Sequence, residues 1–233
     1  MRYISVLTIL LMSSTIWGQR VKSEMLLAFR VSDKYVRQGN KFLNQKQYDR
    51  ARGLFNKAIK KNEWAYDAQS FLGIIYNLEN NPKACLESME KGIQVFEKYK
   101  AQLISEKKIM LSKVDQDLMA HKAEMTIEKQ QEMFTKFEGL KAEISENQEL
   151  TYPAMFRFQY GNAFLMLKDL VKAKEQYLKI VADDPSFPNV YANLSWCFFN
   201  EGNNQKAKEF FVIGKEKGCQ FHPDFEKKML EIL

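Results

Sequence analysis

Small and large side chains recur along this chain at a fixed spacing of 34 residues. Gly39 precedes Gly73 by this interval, and Gly161 precedes Ser195 by the same interval. Pairs of antiparallel helices need such a pattern, because the helices approach closely at the small residues while large side chains fill the space between neighbours. The repeat therefore limits the fold to a stack of helix pairs. The other matched pairs are Phe42 and Tyr76, Ala51 and Cys85, Phe55 and Met89, Ala58 and Gly92, Phe164 and Phe198, Ala173 and Ala207, Tyr177 and Phe211, and Ile180 and Gly214.

Residues at these spacings resemble the signature of the tetratricopeptide repeat. Leu72 and Gly73 followed by Tyr76 reproduce its first-helix core, and Pro185 stands where the repeat ends with proline. The resemblance implies an all-α fold, an α-solenoid of tetratricopeptide-like helix pairs in two plus two repeats. It also implies a protein that binds other proteins. The matching segments are residues 32–65, 66–99, 154–187 and 188–221, with Tyr35 and Tyr191 in the position of the family's tryptophan.

The two pairs of repeats are out of phase. Gly73 and Gly161 lie 88 residues apart, which is one repeat plus 54 residues, so a non-repetitive insertion separates the pairs. The last twelve residues carry Phe225 and Met229 at a spacing of four, which indicates an amphipathic cap on the open end. The predicted organisation is a signal peptide at 1–18, an N-terminal helical segment with two repeats at 19–99, a long insertion at 100–153, two repeats at 154–221 and a capping helix at 222–233.

The insertion is predicted to be helical and coiled-coil-like. No Gly or Pro occurs between Ile93 and Glu138, and good helix formers dominate the segment. Because its two apolar stripes do not share one heptad register, either one long helix or a hairpin fits the sequence. A break is expected between Ser145 and Tyr152, since the residue before Pro153 avoids helical angles. A spacer, a dimerisation or docking arm, and a degenerate extra repeat all remain open as its role.

The first 18 residues have the layout of an export signal. Arg2 precedes an apolar run, and small residues follow up to Gly18. We predict cleavage after Gly18 and export to a periplasm, an outer membrane or a secretory lumen. The alternatives are an uncleaved anchor and a helix of a cytosolic protein. In an oxidising compartment three cysteines would leave at least one thiol unpaired. Cys85 and Cys197 fall where the repeat requires a small residue, so we interpret them as small core residues.

The first helices of such a solenoid line its concave face, so their outward positions are where a ligand is read. In the C-terminal pair these positions are apolar and aromatic, with embedded amides. Asn side chains donate and accept hydrogen bonds and so suit the backbone of an extended peptide, while Trp196 supplies stacking. Alternatively, the insertion or a neighbouring repeat covers the same aromatics. The predicted partner-binding groove comprises Asn40, Asn77, Met155, Phe158, Asn162, Asn189, Asn193, Trp196 and Phe199.

Some tetratricopeptide proteins hold the C-terminal carboxylate of a partner with a Lys and an Asn of one first helix and an Asn of the next. In the C-terminal pair, Asn162 and Asn193 match this set, but Phe158 replaces the Lys. In the N-terminal pair only Asn40 matches, and Phe71 stands in place of the second Asn. We therefore predict that the chain does not recognise an acidic chaperone tail.

No motif for catalysis occurs in the sequence. A Gly-rich phosphate loop, a nucleophile elbow, a paired-His helix motif and a Cys-x-x-Cys pair are all absent. With only 2 His and 3 Cys among 233 residues, we expect no metal site and no cofactor. The prediction is a non-enzymatic scaffold or adaptor.

The expected partner is a protein or peptide. The formal net charge of +6 is mild and spread along the chain, so no nucleic-acid partner is expected. Peripheral membrane association stays open. The alternative function is a structural, self-assembling protein that forms a homo-oligomer through residues 100–150.

Overall fold

The structure is a computed structural model that describes residues 28–232. The chain divides into two compact units, of which unit 1 ends at Gly92 and unit 2 begins at Ile93. No helix within the described range is long and apolar enough to cross a membrane. The helices are α1 (residues 28–44), α2 (Tyr48–Lys61), α3 (Tyr66–Leu78), α4 (Pro82–His121), α5 (Ile127–Glu149), α6 (Ala154–Met166), α7 (Leu170–Asp183), α8 (Asn189–Asn200), α9 (Asn204–Glu216) and α10 (Pro223–Ile232).

The small residues of the repeat are the points of closest approach between paired helices. A Cβ atom added at Gly39 would lie 2.5 Å from Cε1 of Phe55, and one at Gly73 would lie 2.8 Å from Cε of Met89. Gly161 of α6 meets the ring of Tyr177 in α7 in the same way. No side chain fits at these glycines without movement of the partner. The predicted all-α solenoid of small–large helix pairs is confirmed.

The fourth repeat uses a serine at this position. Ser195 is fully buried, and its hydroxyl donates a hydrogen bond to the carbonyl oxygen of Ala207 at 2.8 Å. Ala207 on α9 is itself fully buried, and Phe211, one turn later on the same helix, is 2% exposed. Burial of the Ser195 hydroxyl therefore costs little free energy, because it has a hydrogen-bond partner on the other helix of the pair.

The repeat extends to the backbone of the turns. One residue in each turn between paired helices has a left-handed conformation, with φ of 58° at Lys46, 59° at Asn80, 63° at Lys168 and 77° at Gly202. These residues are again 34 apart within each pair. Only Gly202 is a residue type that adopts this region without steric cost. The turn geometry thus follows the packing of the helices rather than local preference.

The insertion is a helical hairpin and not one long helix, the other form that the sequence allowed. After α4, a short 3-10 turn spans Lys122–Glu124, and α5 returns along α4. Lys100 Nζ donates to the carbonyl oxygen of Leu150 at 2.7 Å, and Lys107 forms an ion pair with Glu143. The inner seam is closed by three buried apolar side chains, which are Val114, Leu140 and Ile144.

The sequence prediction allowed a hairpin but did not locate the break between α4 and α5. It lies in a stretch without Gly or Pro, so the usual signals for a break are absent. The only local signal is Thr126, whose side chain accepts a hydrogen bond from Lys129 N at 3.3 Å and caps α5. The break expected between Ser145 and Tyr152 is present, since α5 ends at Glu149.

The C-terminal helix α10 covers the end of unit 2. Phe225 is 5% exposed and Met229 is fully buried. Glu226 accepts a hydrogen bond from Lys215 Nζ at 2.6 Å, which ties α10 to α9. The predicted capping helix is therefore present. The predicted signal peptide at residues 1–18 lies outside the described residues.

The three cysteines are buried, and no disulfide forms within residues 28–232. Burial raises the pKa of the Cys85 and Cys197 thiols to about 12 in each case. Burial also raises the pKa of Cys219, whose Sγ lies 2.6 Å from the carbonyl oxygen of Pro188. All three are therefore protonated at neutral pH and act as small packing residues.

Candidate peptide-binding face

The side of unit 2 formed by α6 and α8, called here the α6/α8 face, carries a closed network of three polar side chains. The Tyr177 hydroxyl donates to Asn162 Oδ1 at 2.7 Å. Asn193 Nδ2 donates to the same Asn162 Oδ1 at 2.9 Å and to the Tyr177 hydroxyl at 3.0 Å. This arrangement links α6, α7 and α8 through one set of atoms and fixes the orientation of both amides.

Tyr177 anchors the network from below. Its ring is fully buried against Gly161, and burial raises the pKa of its hydroxyl well above the ordinary value. The hydroxyl therefore remains a hydrogen-bond donor at any physiological pH. Asn162 and Asn193 are held by a group that does not ionise.

The network leaves hydrogen-bonding capacity on the two amides. Asn193 Oδ1 accepts no hydrogen bond within residues 28–232, and Asn162 Nδ2 makes only a long contact of 3.4 Å to Gln159 Oε1. Both asparagines are partly exposed. The face thus presents one acceptor and one donor in fixed positions beside each other, as an extended peptide backbone requires.

Aromatic side chains border the amides on the α6 side. The Phe158 ring lies 5.7 Å from the Tyr177 ring and 5.5 Å from the Phe187 ring, both in tilted geometry. Phe158 is partly buried by these contacts. One turn earlier in α6, Met155 is 44% exposed. The apolar border is therefore partly covered by unit 2 itself and partly open.

A second aromatic group lies at the other end of α8. The Trp196 ring meets Phe225 of α10 edge-on at 5.3 Å, and Phe199 meets the same ring at 5.5 Å. Trp196 nevertheless keeps 43% of its surface exposed. The capping helix thus packs against one side of Trp196 and leaves the rest of the side chain partly exposed.

The structure brings the predicted C-terminal residues together on one face of unit 2. Asn162 and Asn193 are in direct contact, Phe158 borders them through Tyr177, and Asn189 is exposed at the start of α8. The prediction missed Tyr177, Phe187 and Phe225. The sequence analysis gives Tyr177 only a packing role, as the large residue of a small–large pair. Its hydroxyl could have indicated a polar role, because Phe211 at the equivalent position of the next repeat has none.

The predicted residues of the N-terminal pair belong to unit 1 and have different surroundings. Asn40 and Asn77 are partly buried on α1 and α3. In place of an amide network, Phe55 and Phe71 stack at 5.1 Å with an interplanar angle of 11°. At the start of α3, burial raises the pKa of Asp67. This face is more acidic and less apolar than the α6/α8 face.

No group of three or more His, Cys, Asp or Glu side chains in residues 28–232 is placed to hold a metal ion. The α8 helix contains no Asp, Glu, Lys or Arg, and α6 contains only Arg157. The α6/α8 face is therefore an uncharged surface of amides and aromatic rings, suited to binding rather than to proton transfer.

No protein-family model matches the chain. No curated protein matches it in sequence. Solved structures with related folds include PilF of Pseudomonas aeruginosa, at 16% identity over 83% of this chain and 79% of PilF, with a TM-score of 0.39. PilW, a type IV pilus biogenesis factor, is 12% identical over 83% of this chain and 80% of PilW, with a TM-score of 0.42. A tetratricopeptide-repeat protein of Thermus thermophilus is 16% identical over 80% of this chain and 91% of its own, with a TM-score of 0.39.

The 34-residue spacing, the helix pairs and the small–large contacts between them decide the fold class of the chain itself. It has a tetratricopeptide-like fold. The similarity to the three solved structures is too low to carry an argument about partners. The function must therefore be argued from the side chains of this chain.

Proposed function

We propose that this chain is a non-enzymatic protein-interaction scaffold that binds an extended peptide segment of a partner on the α6/α8 face. The observation that carries the proposal is the network of Tyr177, Asn162 and Asn193, which holds one unused acceptor and one unused donor beside an exposed tryptophan. Such an arrangement satisfies a peptide C=O and N–H while an apolar side chain packs on the ring.

Preorganisation supports this function. Binding loses affinity when interface side chains must be ordered, at a cost of about 0.5–1.5 kcal/mol for each mobile side chain. Here the Asn162 and Asn193 amides are already held by Tyr177, whose buried ring cannot rotate freely against Gly161. The peptide therefore meets oriented hydrogen-bonding groups.

The exposed apolar side chains define what the peptide carries. Trp196 and Met155 keep 43% and 44% of their surfaces exposed, near opposite ends of the face. Exposed tryptophan is a common anchor of binding energy in protein interfaces. Since α8 has no charged side chain, the matching peptide is apolar and uncharged at its centre, and its affinity depends little on salt.

The experiment is selection from a random-peptide library against the full chain, followed by titration of the enriched peptides by fluorescence anisotropy. Trp196→Ala is expected to raise the Kd about tenfold or more, because it removes an anchor. Asn193→Ala and Met155→Ala are expected to raise it several-fold, and Met155 is 44% exposed, so its truncation should leave the fold intact.

The matched control is Ile74→Ala, at the position in α3 that corresponds to Trp196 in α8. It should leave the affinity unchanged, and circular dichroism should report unchanged helix content for every variant. Peptides that bind the Trp196→Ala and Asn193→Ala variants as tightly as the original chain would remove the α6/α8 face from the proposal. Loss of binding with Ile74→Ala alone would move the site to unit 1.

We also propose that the protein works outside the cytoplasm, on the basis of the export-signal layout of residues 1–18. N-terminal sequencing of the protein recovered from its native cells should begin at Gln19. A chain that begins at Met1 and stays in the cytosolic fraction would contradict this proposal without affecting the binding face.

A further inference from the structure

The hairpin of unit 2, formed by α4 from residue 98 and by α5, carries a second apolar face besides its inner seam. The seam is satisfied within the hairpin, because Val114 and Leu140 are buried there. Elsewhere on the hairpin, large apolar side chains are exposed to an unusual degree. These side chains lie near the turn that joins α4 to α5, and they make no contribution to the seam.

The tip patch consists of Met119, Ile127 and Phe134, which line one shallow cleft. They are 79%, 72% and 61% exposed. Their immediate neighbours in the cleft include the uncharged side chains of Gln130 and Gln131. Three large apolar residues so open to water, close together and on regular helices, are typical of an interaction surface.

A second shallow cleft, the base cleft, lies between the same two helices nearer the start of the hairpin. Small side chains of α4 line it, with apolar walls from Ile104 and Ile109. Its α4 residues Ala101, Ser105 and Ser112 continue toward Met119 at spacings of four, seven and seven, so they share one helical stripe. Both clefts therefore open on the same side of the hairpin.

The two ends of the hairpin carry opposite charge. The tip, residues 115–138, contains six acidic residues and three lysines. The base, residues 98–113 and 139–150, contains six lysines and four acidic residues. The ends also differ in shape, because three large apolar side chains protrude at the tip, whereas Ala101, Ser105 and Ser112 leave gaps between larger side chains at the base. Each end is thus complementary to the other in charge and in size.

We infer that this face binds a second copy of the same chain, with the two hairpins antiparallel in a four-helix bundle. A twofold axis near Ser112 places the tip patch of each copy on the base cleft of its partner, so both complementary contacts form twice. Large apolar side chains of the tip then enter the gaps at Ala101, Ser105 and Ser112, beside the apolar Ile104 and Ile109, and the acidic tips meet the basic bases. The inference is independent of the α6/α8 face.

The dimensions of the face suit a modest dimer. The stripe from Ala101 to Lys122 is about 30 Å long at 1.5 Å per residue. Two helices side by side are about 20 Å wide, so each copy buries on the order of 600 Å², which is near the lower limit for specific complexes. We therefore expect a dimer that dissociates on dilution.

Sedimentation velocity of the full chain from low to high micromolar concentration tests this inference. A monomer–dimer equilibrium is expected, and the double substitution Met119→Glu with Phe134→Glu should raise its dissociation constant more than tenfold. Both residues are exposed, so circular dichroism should show unchanged helix content. Val171→Glu is the matched control, since Val171 is 68% exposed on α7, away from the hairpin. It should leave the equilibrium unchanged.

The antiparallel arrangement has its own test. Ser112→Cys lies near the proposed axis, so two copies should form a disulfide across it under mild oxidation. Gln131→Cys lies at the tip, far from its equivalent in the second copy, and should not. Efficient cross-linking of Gln131→Cys would show a parallel pair and overturn the arrangement.

Other occupants of the face give different results. A chain that stays monomeric at every concentration contradicts the inference, as does a dimer that survives the double substitution. A monomer that floats with phosphatidylglycerol vesicles, and loses this property with Phe134→Glu, would make a lipid surface the occupant and overturn the inference.

Discussion

Equivalent positions of the two units, 122 residues apart, hold different chemistry on the same scaffold. In unit 1 Phe55 and Phe71 stack at 5.1 Å and close the space between first and second helices. In unit 2 the same positions hold Tyr177 and Asn193, which are joined by a hydrogen bond of 3.0 Å. Two changes of side chain turn an apolar contact into a polar one with unused hydrogen-bonding capacity. The scaffold therefore tolerates a binding site at this place without a change of fold.

The two units also have an ion pair in common at equivalent positions. Arg52 of α2 forms an ion pair with Glu79 at 2.6 Å and lies 5.1 Å from the centre of the Tyr76 ring. Lys174 of α7 forms the equivalent ion pair, which ends on Glu201. Its Nζ also lies 4.9 Å from the centre of the Phe198 ring. The two units therefore share this ion pair and its contact with an aromatic ring.

The largest predicted effect concerns the shared packing. Phe55→Ala and Tyr177→Ala each remove a fully buried ring, so each should lower the free energy of unfolding by about 3–5 kcal/mol. Urea denaturation followed by circular dichroism measures both. Val171→Ala on an exposed site should cost less than about 0.5 kcal/mol. If Phe55→Ala or Tyr177→Ala lowered the free energy of unfolding by less than Val171→Ala does, the substituted ring would not be part of the core.

A smaller effect is expected at the glycines that face those rings. Gly39→Ala and Gly161→Ala force a methyl group against an aromatic ring and should destabilise by about 1–3 kcal/mol. Gly53 and Gly139 have nothing within 4 Å of an added Cβ, so their change to Ala should stabilise the helix by up to about 1 kcal/mol. The same denaturation measurement distinguishes the two signs. If all four Gly→Ala substitutions changed the stability in the same direction, the close approach of the paired helices at Gly39 and Gly161 would be contradicted.

Tyr177→Phe sharpens the comparison because it keeps the ring and removes only the hydroxyl. The hydroxyl makes two hydrogen bonds, so its loss should cost about 1 kcal/mol and leave the two amides joined only to each other. Tyr48→Phe, which removes a hydroxyl without a hydrogen bond in residues 28–232, is the control. Denaturation should separate the two variants. Identical stabilities would mean that the network adds nothing to folding.

The smallest effect is expected for the shared ion pairs. Arg52→Gln and Lys174→Gln should each cost about 0.5–1 kcal/mol at low salt and less at high salt. Lys179→Gln, whose partner Glu175 lies one turn away on the same exposed helix face, should cost no more than about 0.5 kcal/mol. Denaturation at two salt concentrations tests the values. A salt-independent cost would point to packing of the side-chain stems instead.

The fold could be predicted from the sequence because pairs of small and large residues recur at a fixed spacing. Gly161 and Tyr177 satisfy the same steric rule as Gly39 and Phe55, and that rule fixes which helices touch. The turn at Lys122–Glu124 could not be predicted, because antiparallel packing of α4 and α5, held by pairs such as Lys107 and Glu143, imposes it. Helix propensity alone favours continuation there.

The candidate site could be predicted only in part. Spacing placed Asn162 and Asn193 on first helices, since outward positions follow from the repeat. Their contact with the Tyr177 hydroxyl depends on the tilt of α7 against α6 and α8. A rule based on small–large packing does not predict this contact, because Phe and Tyr side chains have nearly the same volume. The cover that Phe225 gives Trp196 likewise depends on where the capping helix lies.

The most direct test rebuilds the rings of unit 1 in unit 2 with the double substitution Tyr177→Phe and Asn193→Phe. Affinity of a library-selected peptide for the full chain is measured by fluorescence anisotropy, with helix content checked by circular dichroism. The account predicts a rise in Kd of tenfold or more with helix content retained, because the Asn193 acceptor is gone and the Asn162 amide is no longer held in place. An unchanged Kd in a folded variant would contradict it.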